Sequence, residues 1–180
     1  MRRITHHINV SLDGRICGPN GEFDWTTMGP EHSAYSRAIQ PAGSSLLYGR
    51  VVWGWMSSYW PHADEVSTDP HDRAYAPLWR ATPKVVASRT LDTVDAENTV
   101  LVRSVDEIAA LEGDFVLMGG GELAGALTAA CLVDRLSIIV HPVVLGGDHA
   151  LLPGAGRSAF TLRESRVLDG SAVLSMYDRA

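Results

Sequence analysis

The chain has 180 residues, 46% hydrophobic and 20% charged, which is enough for one domain to build its own core without disulfides or a structural metal. Fifteen Lys+Arg against 21 Asp+Glu leave a net charge of −6, and that balance argues against a non-specific nucleic-acid binder. No run approaches the ~18 apolar residues of a membrane span. The N-terminal Met1-Arg2-Arg3 has no apolar segment behind it, so neither a membrane protein nor a secreted one is expected, and the expected location is cytoplasmic.

Residues 4–10 read as a first strand that ends at Ser11-Leu12-Asp13-Gly14. Gly18, Pro19, Asn20, Gly21, Gly29 and Pro30 mark 18–30 as loop. A short helix is expected over 31–40, stopped by Pro41. Strand 45–48 runs through Gly49-Arg50 into a second helix near 51–57. Residues 58–82, rich in Pro, Asp and His, read as a long surface loop with one helical turn around 71–79. Strands follow at 83–87 and 99–103. Ser104 and Glu107 form a capping box that opens a helix over 105–111. Strand 114–118 meets Gly119-Gly120-Gly121, and a helix follows over 121–131. A long strand is expected over 135–145, with Pro142 marking a bulge or an edge. Segments 160–168 and 172–177 alternate and are joined by Asp169-Gly170, a hairpin signal. Strands alternating with helices, closed by a hairpin, define an α/β domain with a mostly parallel sheet.

Three turns have the chemistry of anion sites. Strand 114–118 stops in Gly119-Gly120-Gly121 and enters a helix at Glu122-Leu123. Bare backbone lets an anion approach there, and the helix N-terminus favours negative charge. The spacing Gly119-x-Gly121-x-x-x-Gly125 misses the dinucleotide fingerprint G-x-G-x-x-G by one residue. Gly49-Arg50 repeats the arrangement with a guanidinium, followed by Val51-Val52. Strand 83–87 ends in Ser88-Arg89-Thr90, two hydroxyls flanking a guanidinium and suited to a monophosphate. All three lie at the C-terminal ends of expected strands, where α/β sheets bind ligands. Each is also an ordinary strand–helix or polar turn when taken alone.

Other features exclude chemistry or leave it open. There is no G-x-S-x-G, Walker A or H-E-x-x-H motif. Lys84 is the only lysine. His62, Asp64, Asp69, His71 and Asp72 have poor metal spacing and fit a solvated loop. His6 and His7 point to opposite faces of their strand and cannot share an ion. Five tryptophans (Trp25, Trp53, Trp55, Trp60, Trp79) suit a core, an interface or the wall of a planar-ligand pocket.

The ordered set Ser11-Leu12-Asp13-Gly14-x-Ile16, Gly49-Arg50, Pro83 to Thr90, Gly119 to Leu123 and His141 to Gly147 resembles the dihydrofolate reductase-like superfamily. It is most similar to the branch holding the reductase (C-terminal) domain of the bifunctional riboflavin-biosynthesis deaminase–reductase. The likeness spans about residues 3–178. It implies one three-layer domain over 1–180, with an eight-stranded, mostly parallel sheet, helices on both faces and a C-terminal antiparallel hairpin. It further implies NADPH as hydride donor, a homodimer, and a small pyrimidine- or pterin-like substrate with a C=N or C=O group, which in the riboflavin branch is a ribosylaminopyrimidine phosphate (5-amino-6-(5-phosphoribosylamino)uracil reductase-like). On this resemblance Asn9 and Ile16 lie beside the nicotinamide. Gly49, Arg50, Val51 and Val52 hold phosphate, and Ser88, Arg89 and Thr90 take the adenosine 2′-phosphate. Gly119, Gly120, Gly121, Glu122 and Leu123 clasp the pyrophosphate, with Gly119–Gly120 a candidate cis peptide. Two departures stand out. Val51-Val52 replace the threonine usual after Gly-Arg-x, and the 31–40 helix carries only Glu31 where dihydrofolate reductases have a carboxylate. Asp13 is therefore the expected proton-ordering residue, and Asp24 and Trp25 the expected substrate contacts. With no deaminase half in the chain, a stand-alone reductase is expected. A nucleotide-binding homologue without turnover and an unrelated phosphate-ester enzyme remain as alternatives.

Overall fold

A computed structural model describes residues 2–180. Eight strands form one sheet in the order β4-β3-β2-β5-β1-β6-β8-β7. In chain order the elements are β1 (Arg3–Val10), α1 (Pro30–Ala38), β2 (Ser45–Gly49), α2 (Arg50–Tyr59), α3 (Ala63–Val66), α4 (Pro70–Ala81) and β3 (Lys84–Ala87). Then come β4 (Thr99–Val102), α5 (Val105–Ala110), β5 (Asp114–Leu117), α6 (Gly121–Ala129), β6 (Arg135–Val140), β7 (Phe160–Leu168) and β8 (Ala172–Arg179). The strands from β4 to β6 pair in parallel, and β8 pairs antiparallel with both β6 and β7. This is the expected mixed sheet with its terminal hairpin.

Alternation along the strands divides the core into layers. On one face Leu47, Val85, Phe115 and Leu117 pack with Ile108 of α5 and Ala124 and Leu127 of α6. On the other, Leu46, Tyr48, Val86 and Val116 pack with Trp53 of α2 and Tyr75 and Trp79 of α4. Tyr35 of α1 continues that second layer over Ile139, Leu168 and Leu174. Neighbouring side chains of a strand point to opposite faces, so each central strand feeds both layers.

Two expectations are corrected. Residues 58–82 are largely helical, not a loop. Asp69 caps α4 by accepting from His71 N at 2.7 Å, and Pro70 sits at the helix start, where a missing N–H costs nothing. Buried His71, Tyr75 and Trp79 are spaced four apart, a helical stripe that outweighs Pro77 in the helix interior. Likewise β6 ends at Val140, so Pro142 lies beyond the strand and makes no bulge in it.

Lys84, the lone lysine, is buried. Its ammonium donates to the Arg80 and Thr82 carbonyls at the end of α4 and lies 4.2 Å from the Trp79 ring centre. Burial lowers its pKa to about 8. Among the described residues no helix is long and apolar enough to cross a membrane, and no cluster of three potential metal ligands occurs.

Candidate functional site

Neighbouring β2 and β5 send their following helices in opposite directions. From β2 the chain runs through α2 to β3, and from β5 through α6 across β1 to β6. Such a reversal opens a crevice at the strand C-termini, the usual ligand position of open α/β sheets. Here Gly49 N donates to Gly119 O at 3.0 Å, so the two glycine turns touch. The peptide between Gly119 and Gly120 is cis, as the resemblance implied. A cleft of about 950 Å³ opens over them.

Helix N-termini need partners for their free N–H groups. The Asp169 carboxylate accepts from Glu31 N and His32 N of α1 at 2.9 and 3.0 Å. Asp69 caps α4, and Ser104 Oγ accepts from Glu107 N in α5 at 3.1 Å. By contrast α2 and α6 have glycines at the N-cap, Gly49 and Gly120, and no capping side chain. These two uncapped ends both face the cleft. Their N–H groups and aligned dipoles favour an anion. Val51 and Val52 supply no hydroxyl there, so the α2 end offers backbone and Arg50 alone. Glu122 contributes its backbone; its carboxylate would repel a phosphate.

The third anion position is the turn after β3. Ser88 Oγ accepts from Thr90 N and Leu91 N at 3.2 and 3.0 Å, which folds the turn and presents exposed Arg89 and Thr90. Arg103 braces it from behind, donating to the carbonyls of Ser88, Leu91 and Asp92. Nothing in the sequence marks Arg103 for this role.

Every residue expected at the cofactor lines the cleft except Asn9: Ile16, Gly49, Arg50, Val51, Val52, Ser88, Arg89, Thr90 and Gly119 to Leu123. Asn9 faces the other side of β1, its Oδ1 2.9 Å from His141 Nε2, and Ile8 lines the cleft instead. The glycines fit a close-approaching ligand. A Cβ on Gly121 would meet Ala150 O at 2.9 Å and Ile16 Cδ1 at 3.1 Å, whereas one on Gly120 would enter open cleft, with only Val52 Cγ2 at 3.7 Å. Three anion positions in one cleft suit a dinucleotide carrying a further phosphate.

Asp13 does not line the cleft. Its carboxylate accepts from Ser11 Oγ at 2.6 Å, Leu145 N at 3.1 Å and Gly146 N at 2.8 Å. The Ser11 hydroxyl and then these N–H groups hold its pKa at about 2. A carboxylate so engaged carries no proton near neutrality. It ties the loop after β1 to the loop after β6, a seam continued by Ile16 N to His149 O and Leu151 N to Gly14 O. Asp24 is exposed and away from the cleft lining. Trp25 packs edge-on against Phe23, which does line the cleft, and against His141. Among the described residues, Trp25 Nε1 and His32 Nε2 are buried without a hydrogen-bond partner. Of the five tryptophans, Trp55 lines the cleft; the sequence reading missed Phe23, Met56 and the far wall of Asp148, His149, Ala150 and Pro153.

The eight-stranded sheet, with its terminal hairpin and switch-point cleft, has the dihydrofolate reductase-like fold. Residues 2–174 match the family model described as the RibD C-terminal domain, and the chain belongs to that family. An uncharacterized protein of Bacillus subtilis (strain 168), YyaP, is 32% identical over 153 residues, covering 81% of this chain and 77% of that protein. The fold is shared with a putative riboflavin biosynthesis protein from Shewanella sp. PV-4 (TM-score 0.74, 23% identity, 100% of this chain and 99% of that one). It is shared also with dihydrofolate reductase from Enterococcus faecalis complexed with NADP(H) and RAB-propyl (TM-score 0.67, 17% identity, 98% and 96% covered).

Proposed function

We propose that the chain is an NADPH-dependent reductase that reduces a C=N or C=O group of a small, flat, pyrimidine- or pterin-like substrate. The observation that carries this reading is the pair of uncapped helix N-termini, Gly49-Arg50 and Gly120-Gly121, opening into one cleft beside Arg89. When bound in this cleft, NADPH would supply a hydride to the acceptor carbon, and solvent would supply the proton that completes the reduction. The protein binds and orients. Gly49, Arg50 and the first turn of α6 hold the pyrophosphate. Ser88, Arg89 and Thr90 hold the 2′-phosphate. Ile8 and Ile16 wall the nicotinamide end, and Asp13 is a positioning residue that anchors the loop carrying Ile16. A cytoplasmic two-fold homodimer with one cleft per subunit belongs to the same proposal.

The test is a fluorescence titration with NADPH, followed by its oxidation in the presence of C=N and C=O acceptors. Saturable binding with turnover is expected. Absence of saturable binding overturns the reading. Saturable binding without oxidation across the acceptors favours the second reading, a nucleotide-binding homologue without turnover. That reading draws support from the missing hydroxyl at Val51-Val52 and from the engaged carboxylate of Asp13.

A further inference from the structure

We infer that a separate cavity, at the opposite end of the sheet from the cleft, is a binding site for a small monocarboxylate with a compact apolar body. The cavity holds about 240 Å³ and shares no lining residue with the cleft. It lies where α1 overhangs the N-terminal ends of β1, β5 and β6. The register sets its groups side by side on the sheet: Arg3 beside Asp114, and Thr5 beside both Val116 and Arg135. Arg3 here and Ile8 in the cleft are five residues apart on β1, about 17 Å of strand.

Its walls are apolar. Ala38, Ile39 and Pro41 come from the end of α1 and the turn after it, and Val116 and Met176 from the sheet. Tyr35 engages its hydroxyl with Ser137 Oγ at 2.7 Å, so what it offers the cavity is its ring. A cavity of about 150 Å³ takes a benzene ring, so this one has room for a single ring and a small head group. The Met176 thioether makes a favourable contact with such a ring.

The remaining lining is charged. Arg3, Arg135 and Asp114 set two cations against one carboxylate, in a chain whose net charge is −6. Asp178, opposite Arg135 in the register, accepts from Arg135 Nε at 2.7 Å with one oxygen and meets Arg163 Nε at 3.1 Å with the other. Its carboxylate is thereby taken. Arg135 keeps its two terminal nitrogens unspent, and among the described residues the Arg3 guanidinium has no hydrogen-bond or ion-pair partner. Two guanidinium forks suit a carboxylate, which accepts N–H bonds in pairs. Two cations less one carboxylate leave a single positive charge, which a monoanion balances. The anion must carry an apolar body, because these walls give a bare ion nothing in return for its lost water.

The experiment follows the methyl NMR signals of the full chain during titration with benzoate. Saturable shifts are expected at Thr5, Ile39 and Met176, with Ile16 in the cleft unmoved. Benzyl alcohol keeps the ring and loses the charge; inorganic phosphate keeps charge and loses the ring. Each should bind about tenfold more weakly than benzoate, or worse. Arg3→Gln, at an exposed position, should weaken benzoate about tenfold through loss of a charge-assisted pair. Ala38→Leu places a good helix former at an exposed site and should fill part of the cavity, blocking benzoate in a folded protein. Absence of saturable benzoate binding overturns the inference, as do shifts at Ile16 in place of the three cavity methyls. So does benzoate binding indifferent to both Arg3→Gln and Ala38→Leu, or phosphate or benzyl alcohol binding as tightly as benzoate.

Discussion

Arg89 stands exposed on a turn that two other side chains hold in shape, Ser88 from within and Arg103 from behind. A guanidinium presented this way discriminates by charge. Arg89→Ala should therefore weaken NADPH by about 1.5–3 kcal/mol, roughly 10- to 150-fold, and leave NADH nearly unchanged. Paired titrations of the two cofactors measure this, and an equal loss for both would remove the 2′-phosphate from this turn. Arg89 was legible in the sequence because its chemistry is local: a strand end, two hydroxyls, one cation. Asp13 was misjudged because its partners are distant. Its N–H donors sit 132 and 133 positions along the chain, and no spacing rule reaches that far. Arg103 was invisible for a related reason, since it acts through backbone carbonyls, which every residue has. Gly125, whose spacing misses the dinucleotide fingerprint, has a packing role instead. It extends the glycine pattern, yet a Cβ there would meet Pro153 O at 1.8 Å, so it serves helix–loop packing and not the ligand.

Helix α6 gives the clearest experiment among the elements. A side chain on Gly120 enters the cleft without striking the protein, while one on Gly121 strikes backbone. Gly120→Val should keep its thermal unfolding midpoint within a few degrees, a shift of less than about 1 kcal/mol in a domain of this size, yet lose both NADPH and NADH. Normal binding by a folded Gly120→Val protein would make the turn purely structural. At this scale the strands and both glycine turns were readable, because hydrophobic alternation and Gly at a strand end are strong local signals. Helix α4 was not. Pro70 and Pro77 read as breakers, although one starts the helix and the other is tolerated on a well-packed interior stretch. Tertiary burial of Tyr75 and Trp79 settled a conflict that propensity alone decided the other way.

The molecule as a whole carries buried bases. Burial, with the charge of His7 beside it, drives His6 down to about 3, and burial drives His7 and His141 down to about 4. The unfolded value is about 6.5. The unfolded chain therefore binds more protons below that pH, so stability is full above roughly pH 6.5 and falls as the pH drops toward 4, by up to ~1.4 kcal/mol per unit for each ring. Urea midpoints at successive pH values check this, and a flat profile from neutral to mildly acidic pH would put the rings in water. Assembly is the second expectation at this scale. The hairpin ends the sheet at β7 and leaves Leu162, Val167 and Val173 exposed. A bare edge with apolar side chains needs cover. Sedimentation at micromolar protein should give a dimer burying more than about 1,200 Å², and a monomer-sized species would refute it. The fold class was legible despite the misread α4, since the order of the strands and the terminal hairpin carried it. The far wall of the cleft was not, because the irregular segment 143–159 has no period to read.

The capping of α1 by Asp169 joins residues 138 positions apart, and Glu31 Oε2 returns the contact by accepting from Asp169 N. The turn of the last hairpin is thus the first turn of the first helix's only carboxylate cap. In hydrogen–deuterium exchange, the amides of Glu31 and His32 should open at the rate of the β7–β8 hairpin and not with the rest of α1. Asp169→Ala should speed both amides together, by about 5- to 30-fold for a cap worth about 1–2 kcal/mol, while Asp169→Asn retains much of the protection. The start of α1 and the last hairpin then open as one unit.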